Sequence, residues 1–332
     1  MNNRLTGLQS SATVRFAETV WAMERSGASV IKLQIGDPDF DTHPKIVAAA
    51  NKAMQAGLTH YSMTQGLVKL RTAVSERLSH DIAVDYKPEE ILITHGGVHA
   101  VFCAINAIVS SGDEVLILDP SWMPYSSAAE LAGGVPVRVP SGPDTGFAPD
   151  IDRIKSSITP KTKLLVINSP CNPSGHVLSV DALTELAELA VKHGLYVLSD
   201  DVYSRLIYDD TTYTHIATLP GMRERSVAVN SLSKTYAMTG WRIGWLSAPR
   251  ELAKQILKMS QYTITHVAPF VQQAAITALT DRDVQAQVSE MIDTYGARRE
   301  MILKALGPVN RIDTLCPDGA FYVLIDISQF GS

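Results

Sequence analysis

The chain has 332 residues, 45% hydrophobic and 19% charged, a normal globular balance and more than one compact core usually takes. Its formal net charge of -5, without a long run of one sign, makes nucleic acid and anionic membrane poor partners. No apolar run approaches the ~20 residues of a membrane span, and the opening "MNNRLTGLQSSATVRF" lacks the apolar stretch of a secretory signal.

The first legible unit is residues 90–108, "EILITHGGVHAVFCAINAI": a short β-rich run, two glycines, then an apolar pattern of helical length. "GDEVLILDPSW" predicts a turn and a second buried strand that stops at a proline. Further β runs are "VPVRV" (135–139), "KLLVIN" (163–168), "LYVLS" (195–199) and "SVAVN" (226–230). Between two of them, "SVDALTELAELAVKHG" predicts a helix with Asp181 in its first turn and Gly194 at its C-terminal stop. From about residue 250 the pattern turns to long helices, "ELAKQILKMSQYTITHVAPFVQQAAITALT" and "DVQAQVSEMIDTYGARREMILKALG". A last strand is predicted in "GAFYVLIDIS".

Near-continuous apolar strands alternating with helices imply a mainly parallel sheet covered on both faces. Ligands in such sheets lie beyond the carboxyl ends of the strands. Gly96 and Gly97, Asn172, Asp200, and Ser231 to Lys234 each follow a different strand. The three cysteines, Cys103, Cys171 and Cys316, are too scattered for a disulfide framework or a zinc site, and each is expected to be a small buried side chain in a reduced, cytoplasmic protein. The nine histidines show no metal-ligand spacing, so His95, His99 and His266 are expected to be structural or pocket-lining.

The stretch "NSLSKTYAMTGWRIGW" (230–245) sets one amine among hydroxyls, with a guanidinium eight residues on. Ser-x-x-Lys also fits a serine acyl-enzyme motif, but the companion Ser-Asp-Asn and Lys-Thr-Gly are absent from the sequence. A lysine that bonds pyridoxal phosphate needs other company. The phosphate wants backbone N–H groups at a helix start, hydroxyls and a guanidinium, and Gly97, Val98, Ser231, Ser233 and Arg242 can supply them. The ring nitrogen wants a carboxylate, available at Asp200. The phenolic oxygen wants donors, available at Asn172 and Tyr203, and the ring face wants a platform, available at Trp122. Each residue alone has a plainer reading: Asp200 and Asp201 as turn acids, Trp122 as core, Asn172-Pro173 as a turn, Arg242 as surface charge.

Taken together, "IGDPDFDTHP", "THYSMTQGLVKLR", "GDEVLILDPSW", "NSPCNPSG", "SDDVYSRLIYDD", "SLSKTYAMTGWRIGW" and "PDGAFYVLID" resemble, in order and approximate spacing, the class I/II pyridoxal-phosphate aminotransferases of fold type I, in the branch of bacterial aspartate and aromatic aminotransferases. The resemblance implies an α/β fold: a three-layer αβα large domain on a mainly parallel seven-stranded sheet, with a smaller α+β domain. Residues 1–38 would be an N-terminal segment of the small domain, 39–280 the large cofactor-binding domain, and 281–332 a linking helix and the start of the C-terminal small domain. It makes Lys234 the Schiff-base lysine, Asp200 the pyridinium partner, and Asn172 and Tyr203 the phenolate donors. Trp122 would stack on the ring, Gly97, Val98, Ser231, Ser233 and Arg242 would form the phosphate cup, and Gly36, Trp122 and Asn172 would meet the substrate. Tyr61 would serve the phosphate of a neighbouring subunit, which implies a homodimer.

Three features depart from the family pattern. Val98 stands where relatives often carry a hydroxyl or a lysine, and Asp201 stands where glutamate is commoner, a change expected to be harmless. Family members continue past the "GAFY" strand for a few dozen residues that carry the arginine gripping the substrate α-carboxylate. The small domain is therefore expected to be C-terminally incomplete and to expose apolar surface. The expected reaction moves an amino group from an L-amino acid to a 2-oxo acid by ping-pong half-reactions. A lyase, decarboxylase or synthase on the same fold, and a truncated non-catalytic binder, are its alternatives. Acidic, aromatic and basic substrates stay open.

Overall fold

Short runs of Val, Ile and Leu, buried on both sides except in one edge strand, build one sheet of seven strands. They are β1 (Ile91–Thr94), β2 (Glu114–Asp119), β3 (Val135–Pro140), β4 (Thr162–Asn168), β5 (Tyr196–Asp200), β6 (Ser226–Ser231) and β7 (Gly244–Ser247), in the spatial order β1-β7-β6-β5-β4-β2-β3. Neighbours from β6 through β3 pair parallel, and β7 runs antiparallel to both β6 and β1. The computed structural model describes residue 8 and residues 12–331. Of the N-terminal segment expected over 1–38, residues 1–7 and 9–11 lie outside the described residues, as does Ser332.

Side chains alternate across the sheet with the period of two that strands impose. Leu164 and Val166 of β4 face one layer while Leu165 and Ile167 face the other. The first layer holds α4 (Gly96–Ile108), α5 (Pro124–Ala132) and α9 (Arg250–Gln261). The opposite layer holds α6 (Ile151–Ser157) and α7 (Val180–His193) over the middle strands. Over β1 and β7 it holds α2 (Pro44–Gln55), α3 (Val68–Ile82) and α10 (Pro269–Thr280), joined by Val284 and Val288 of α11 (Arg282–Leu306). An N-terminal α1 (Ala12–Arg25) leaves Phe16 and Trp21 exposed. The sheet edges are protected. β3 carries Pro136 and Pro140, and Gln65 covers β1, its backbone carbonyl accepting from Ile93 N and its side chain donating to Ile91 O.

Local chemistry sets the element ends. α7 starts because Ser179 accepts from the Ala182 N–H and stops at Gly194, whose φ of 67° is open to glycine at little cost. Two expectations are corrected. The single helical run after residue 250 is divided into α9 and α10, because Pro269 opens α10 and holds Ala268 extended, while Thr265 turns left-handed. The strand expected over 319–328 shrinks to β9 (Ile325–Asp326), paired with β8 (Asp313–Thr314). Ala320 spends its hydrogen bonds elsewhere, its N–H on Leu206 O and its carbonyl on the Tyr208 hydroxyl. Cys316 is exposed rather than buried, while Cys103 is buried and Cys171 half-buried.

Candidate active site

The carboxyl ends of β4, β5 and β6 lie side by side, with Asn168 opposite Asp200 and Asp200 opposite Val229. Asp200 is 5% exposed. Its carboxylate accepts from the Tyr125 hydroxyl at 2.7 Å and from the Val202 N–H at 3.3 Å. Asn168 donates to the Asp200 carbonyl at 2.9 Å and accepts from the Asn172 N–H at 2.7 Å, tying the two strand ends to the loop after β4. Burial pushes the Asp200 carboxyl up to about 6; the Tyr125 hydrogen bond opposes this and the neighbouring Asp201 charge reinforces it.

Tyr203 is buried beside this carboxylate, and its hydroxyl shares a hydrogen bond with the Tyr322 hydroxyl. Asn172 donates to the same Tyr322 oxygen at 3.4 Å. The Tyr322 hydroxyl occupies the space where a side chain on Gly36 would go. Burial holds the Tyr203 phenol well above its ordinary value and Tyr322 at about 12, so both are donors near neutral pH.

At the end of β6 the chain enters α8 (Leu232–Thr235), one turn capped by the Ser231 side chain. The Ser231 and Ser233 hydroxyls are 2.8 Å apart. Lys234 points from this turn to the Gly36 carbonyl, which accepts from its Nζ, and passes over the Phe321 ring at 5.7 Å. Burial lowers the Lys234 ammonium, with the Arg242 charge adding to the effect and Asp37 opposing it. Arg242 takes a left-handed backbone, φ 52°, a strained state typical of residues whose side chain is fixed by function. Its guanidinium donates to Thr239 O at 2.7 Å and His95 O at 3.3 Å, against the start of α4. A Cβ on Gly96 would lie 2.6 Å from Arg242 Nη2, and a Cβ on Gly244 of β7 would lie 3.1 Å from Gly96 Cα. Glycine at both positions lets backbone, guanidinium and helix start converge.

Gly97 and Val98 occupy the first turn of α4, whose N–H groups have no intrahelical partner, and His95 adds no side-chain cap. Val98 is half-exposed. Trp122, half-buried after β2, reaches the cluster edge-on through Tyr125, ring centres 5.3 Å apart. Tyr61 stands apart. It is 90% exposed, and its ring meets His266 at 5.4 Å rather than any of the other candidates. Three participants went unnoticed in the sequence: Tyr125, Asn168 and Tyr322. Their signals were the helical spacing of Tyr125 from Trp122, the position of Asn168 at a strand end, and the place of Tyr322 within "GAFY", read only as a strand.

The geometry offers an anion cradle, a half-buried amine and a buried carboxylate, set at the ends of adjacent strands. A family profile, aminotransferase class I and II, matches residues 28–330, and the chain belongs to that family. It is a pyridoxal-phosphate-dependent transaminase, α/β in fold. The aspartate aminotransferase of Pyrococcus abyssi (strain GE5 / Orsay) is 42% identical over 303 residues, covering 91% of this chain and 78% of that protein. Aromatic-amino-acid aminotransferase 2 of Thermococcus litoralis (strain ATCC 51850 / DSM 5473 / JCM 8560 / NS-C) is 40% identical, with 91% and 78% covered. The structure of aspartate aminotransferase from Thermus thermophilus with maleate superposes with a TM-score of 0.95 at 36% identity, covering 98% of this chain and 85% of that one.

The residues present fit pyridoxal phosphate. A dianion matches the α4 start, the paired serine hydroxyls and Arg242. A cationic ring nitrogen matches the buried Asp200, which among the described residues has two protein donors and no cationic partner. Among the described residues, no group of three His, Cys, Asp or Glu side chains is placed to hold a metal ion, and no helix is long and apolar enough to cross a membrane.

Proposed function

We propose that this chain transfers the amino group of aspartate or an aromatic amino acid to a 2-oxo acid by ping-pong half-reactions, with Lys234 as the attachment point and proton carrier. The relatives named above support that donor class. When bound, pyridoxal phosphate supplies the electron sink that stabilises negative charge at the substrate Cα. Lys234 Nζ, its ammonium lowered by burial, would take the substrate Cα proton as a general base and hold it at Nζ. Asp200 would accept the hydrogen bond of the ring nitrogen and keep that nitrogen protonated. Tyr203 and Asn172, both hydrogen-bonded to the Tyr322 hydroxyl, would donate to the phenolic oxygen. Trp122 would cover the ring face, and the Gly97 and Val98 N–H groups, Ser231, Ser233 and Arg242 would hold the phosphate. Gly36, Trp122 and Asn172 border the substrate. The exposure of Tyr61 fits a residue that serves a second copy of the chain, and we assign it to the neighbouring phosphate in a homodimer. Residues 39–280 form the cofactor-binding body, with 281–332 as the linking helix and the small-domain start.

The observation that carries this reading is the placement of a half-buried amine and a buried carboxylate, without an ion-pair partner among the described residues, beyond the adjacent strands β6 and β5. The test is an amino-donor screen with pyruvate and 2-oxoglutarate, run on the wild type and on Lys234→Ala. Oxo acid without ammonia, reduced by a factor of at least about 100 in the variant, is the expected outcome. Undiminished turnover in Lys234→Ala refutes the assignment.

A further inference from the structure

Asp200 has a buried acidic neighbour that the reaction does not obviously need. Asp201 is as deeply buried as Asp200 but faces the other side of the sheet, where Ser199, two residues back, faces too. Its Oδ1 accepts from the Ser199 hydroxyl and the Tyr213 hydroxyl, both at 2.6 Å, and its Oδ2 accepts from His215 Nε2 at 3.0 Å. The Ala217 N–H donates to His215 Nδ1 at 3.0 Å. A backbone N–H can only donate, so Nδ1 is bare, the ring proton sits on Nε2, and the imidazole is neutral. Arg77 and Arg205, which line the small cavity beside Asp201, are engaged with Asp81 instead. Asp201 is therefore a buried charge held by three neutral donors.

Buried carboxylates ordinarily come with a cation. Among the described residues no lysine or arginine is paired with Asp201, which leaves its field intact at Asp200. Tyr125, Cys171, Tyr203, Tyr213 and Tyr322 also feel the Asp200 charge. All are phenols or a thiol, neutral near pH 7. A like charge next door raises the proton affinity of Asp200 and so strengthens its grip on a proton shared with the ring nitrogen.

We propose that Asp201, solvated by Ser199, Tyr213 and His215 without a counter-cation, is a positioning residue that acts through Asp200 to hold the ring-nitrogen proton. This rests on the assignment of Asp200 to that nitrogen. The clean variant is Asp201→Asn. Its amide oxygen can take the His215 proton while its NH2 donates to the two hydroxyls, which reverse their roles, so the charge goes and the hydrogen bonds stay. Tyr213→Phe is the control that removes a donor and keeps the charge.

The full chain, labelled with 13C at aspartate carboxyls, is titrated by NMR before and after loading with pyridoxal phosphate. Asp201→Asn is expected to lower the Asp200 midpoint by on the order of one pH unit. Asp201→Glu and Tyr213→Phe should leave it near the wild-type value, and loaded Asp201→Asn should lose kcat with little change in KM. A midpoint unmoved in Asp201→Asn, or moved as far by Tyr213→Phe, overturns the proposal. Asp200→Asn separates the two claims: if that variant keeps full turnover, the ring-nitrogen assignment fails; if it is inactive while Asp201→Asn leaves the midpoint unmoved, only the role of Asp201 fails.

Discussion

Asp200 is a liability to the fold that function retains. In the unfolded chain an aspartate releases its proton near 3.8, whereas in the folded, cofactor-free chain Asp200 holds it up to about 6. Between those values the folded state binds more protons, so stability falls as pH rises from about 4 to 6 and stays lower above. The penalty at pH 8 is roughly 3 kcal/mol, with a second buried acid beside it. Asp200→Asn, whose amide oxygen still accepts from Tyr125, should therefore be more stable than wild type at pH 8 and indistinguishable from it at pH 3.5. Urea titrations of the cofactor-free proteins at the two pH values check this. At the same scale, Gly96→Ala would force a Cβ to 2.6 Å from the Arg242 guanidinium at a backbone φ of 77°. Cofactor affinity should fall at least about tenfold, read by fluorescence titration. The candidate residues were legible because their chemistry is unusual at strand ends; Tyr125 and Tyr322 were not, because a tyrosine bonded to a carboxylate, or to another tyrosine and an amide, looks in sequence like any other aromatic.

Elements were easiest to read where one local signal decides them. α7 was found from its apolar period and its closing glycine, and both hold because Gly194 takes the left-handed turn that terminates the helix. Gly194→Ala should cost about 1 kcal/mol, seen as a lower urea midpoint with an unchanged slope, since open space surrounds the position and only the backbone objects. Reading failed where distant partners decide. The division between α9 and α10 needs Pro269 and the turn at Thr265, two signals that lie inside a run of continuous apolar period. The segment after Gly319 has the composition of a strand, but its first hydrogen bonds go to Leu206 and Tyr208. Composition reports what a segment can do, not which neighbour claims it.

For the whole molecule, the outstanding expectation is the shared site. Sedimentation equilibrium should give twice the 36.0 kDa of one chain. If Tyr61 serves the neighbouring copy, Tyr61→Ala and Lys234→Ala proteins, each inactive or nearly so, should regain about a quarter of wild-type turnover when mixed and re-equilibrated, because half of the dimers then carry one intact site. No recovery would place Tyr61 on its own chain's site.

The strand order also governs when a site can exist at all. β7, last of the seven to be synthesised, inserts between β1 and β6, and its Gly244 presses on the backbone of Gly96. At about 5–20 residues per second on the ribosome, β1 waits on the order of ten seconds for its partner strand. Until then the helix start, the serines and the arginine have nothing to hold them in register. On the proposed assignment of the phosphate to these residues, capture of the vitamin would report that the sheet has closed, and a nascent chain stalled before residue 244 would be blind to it.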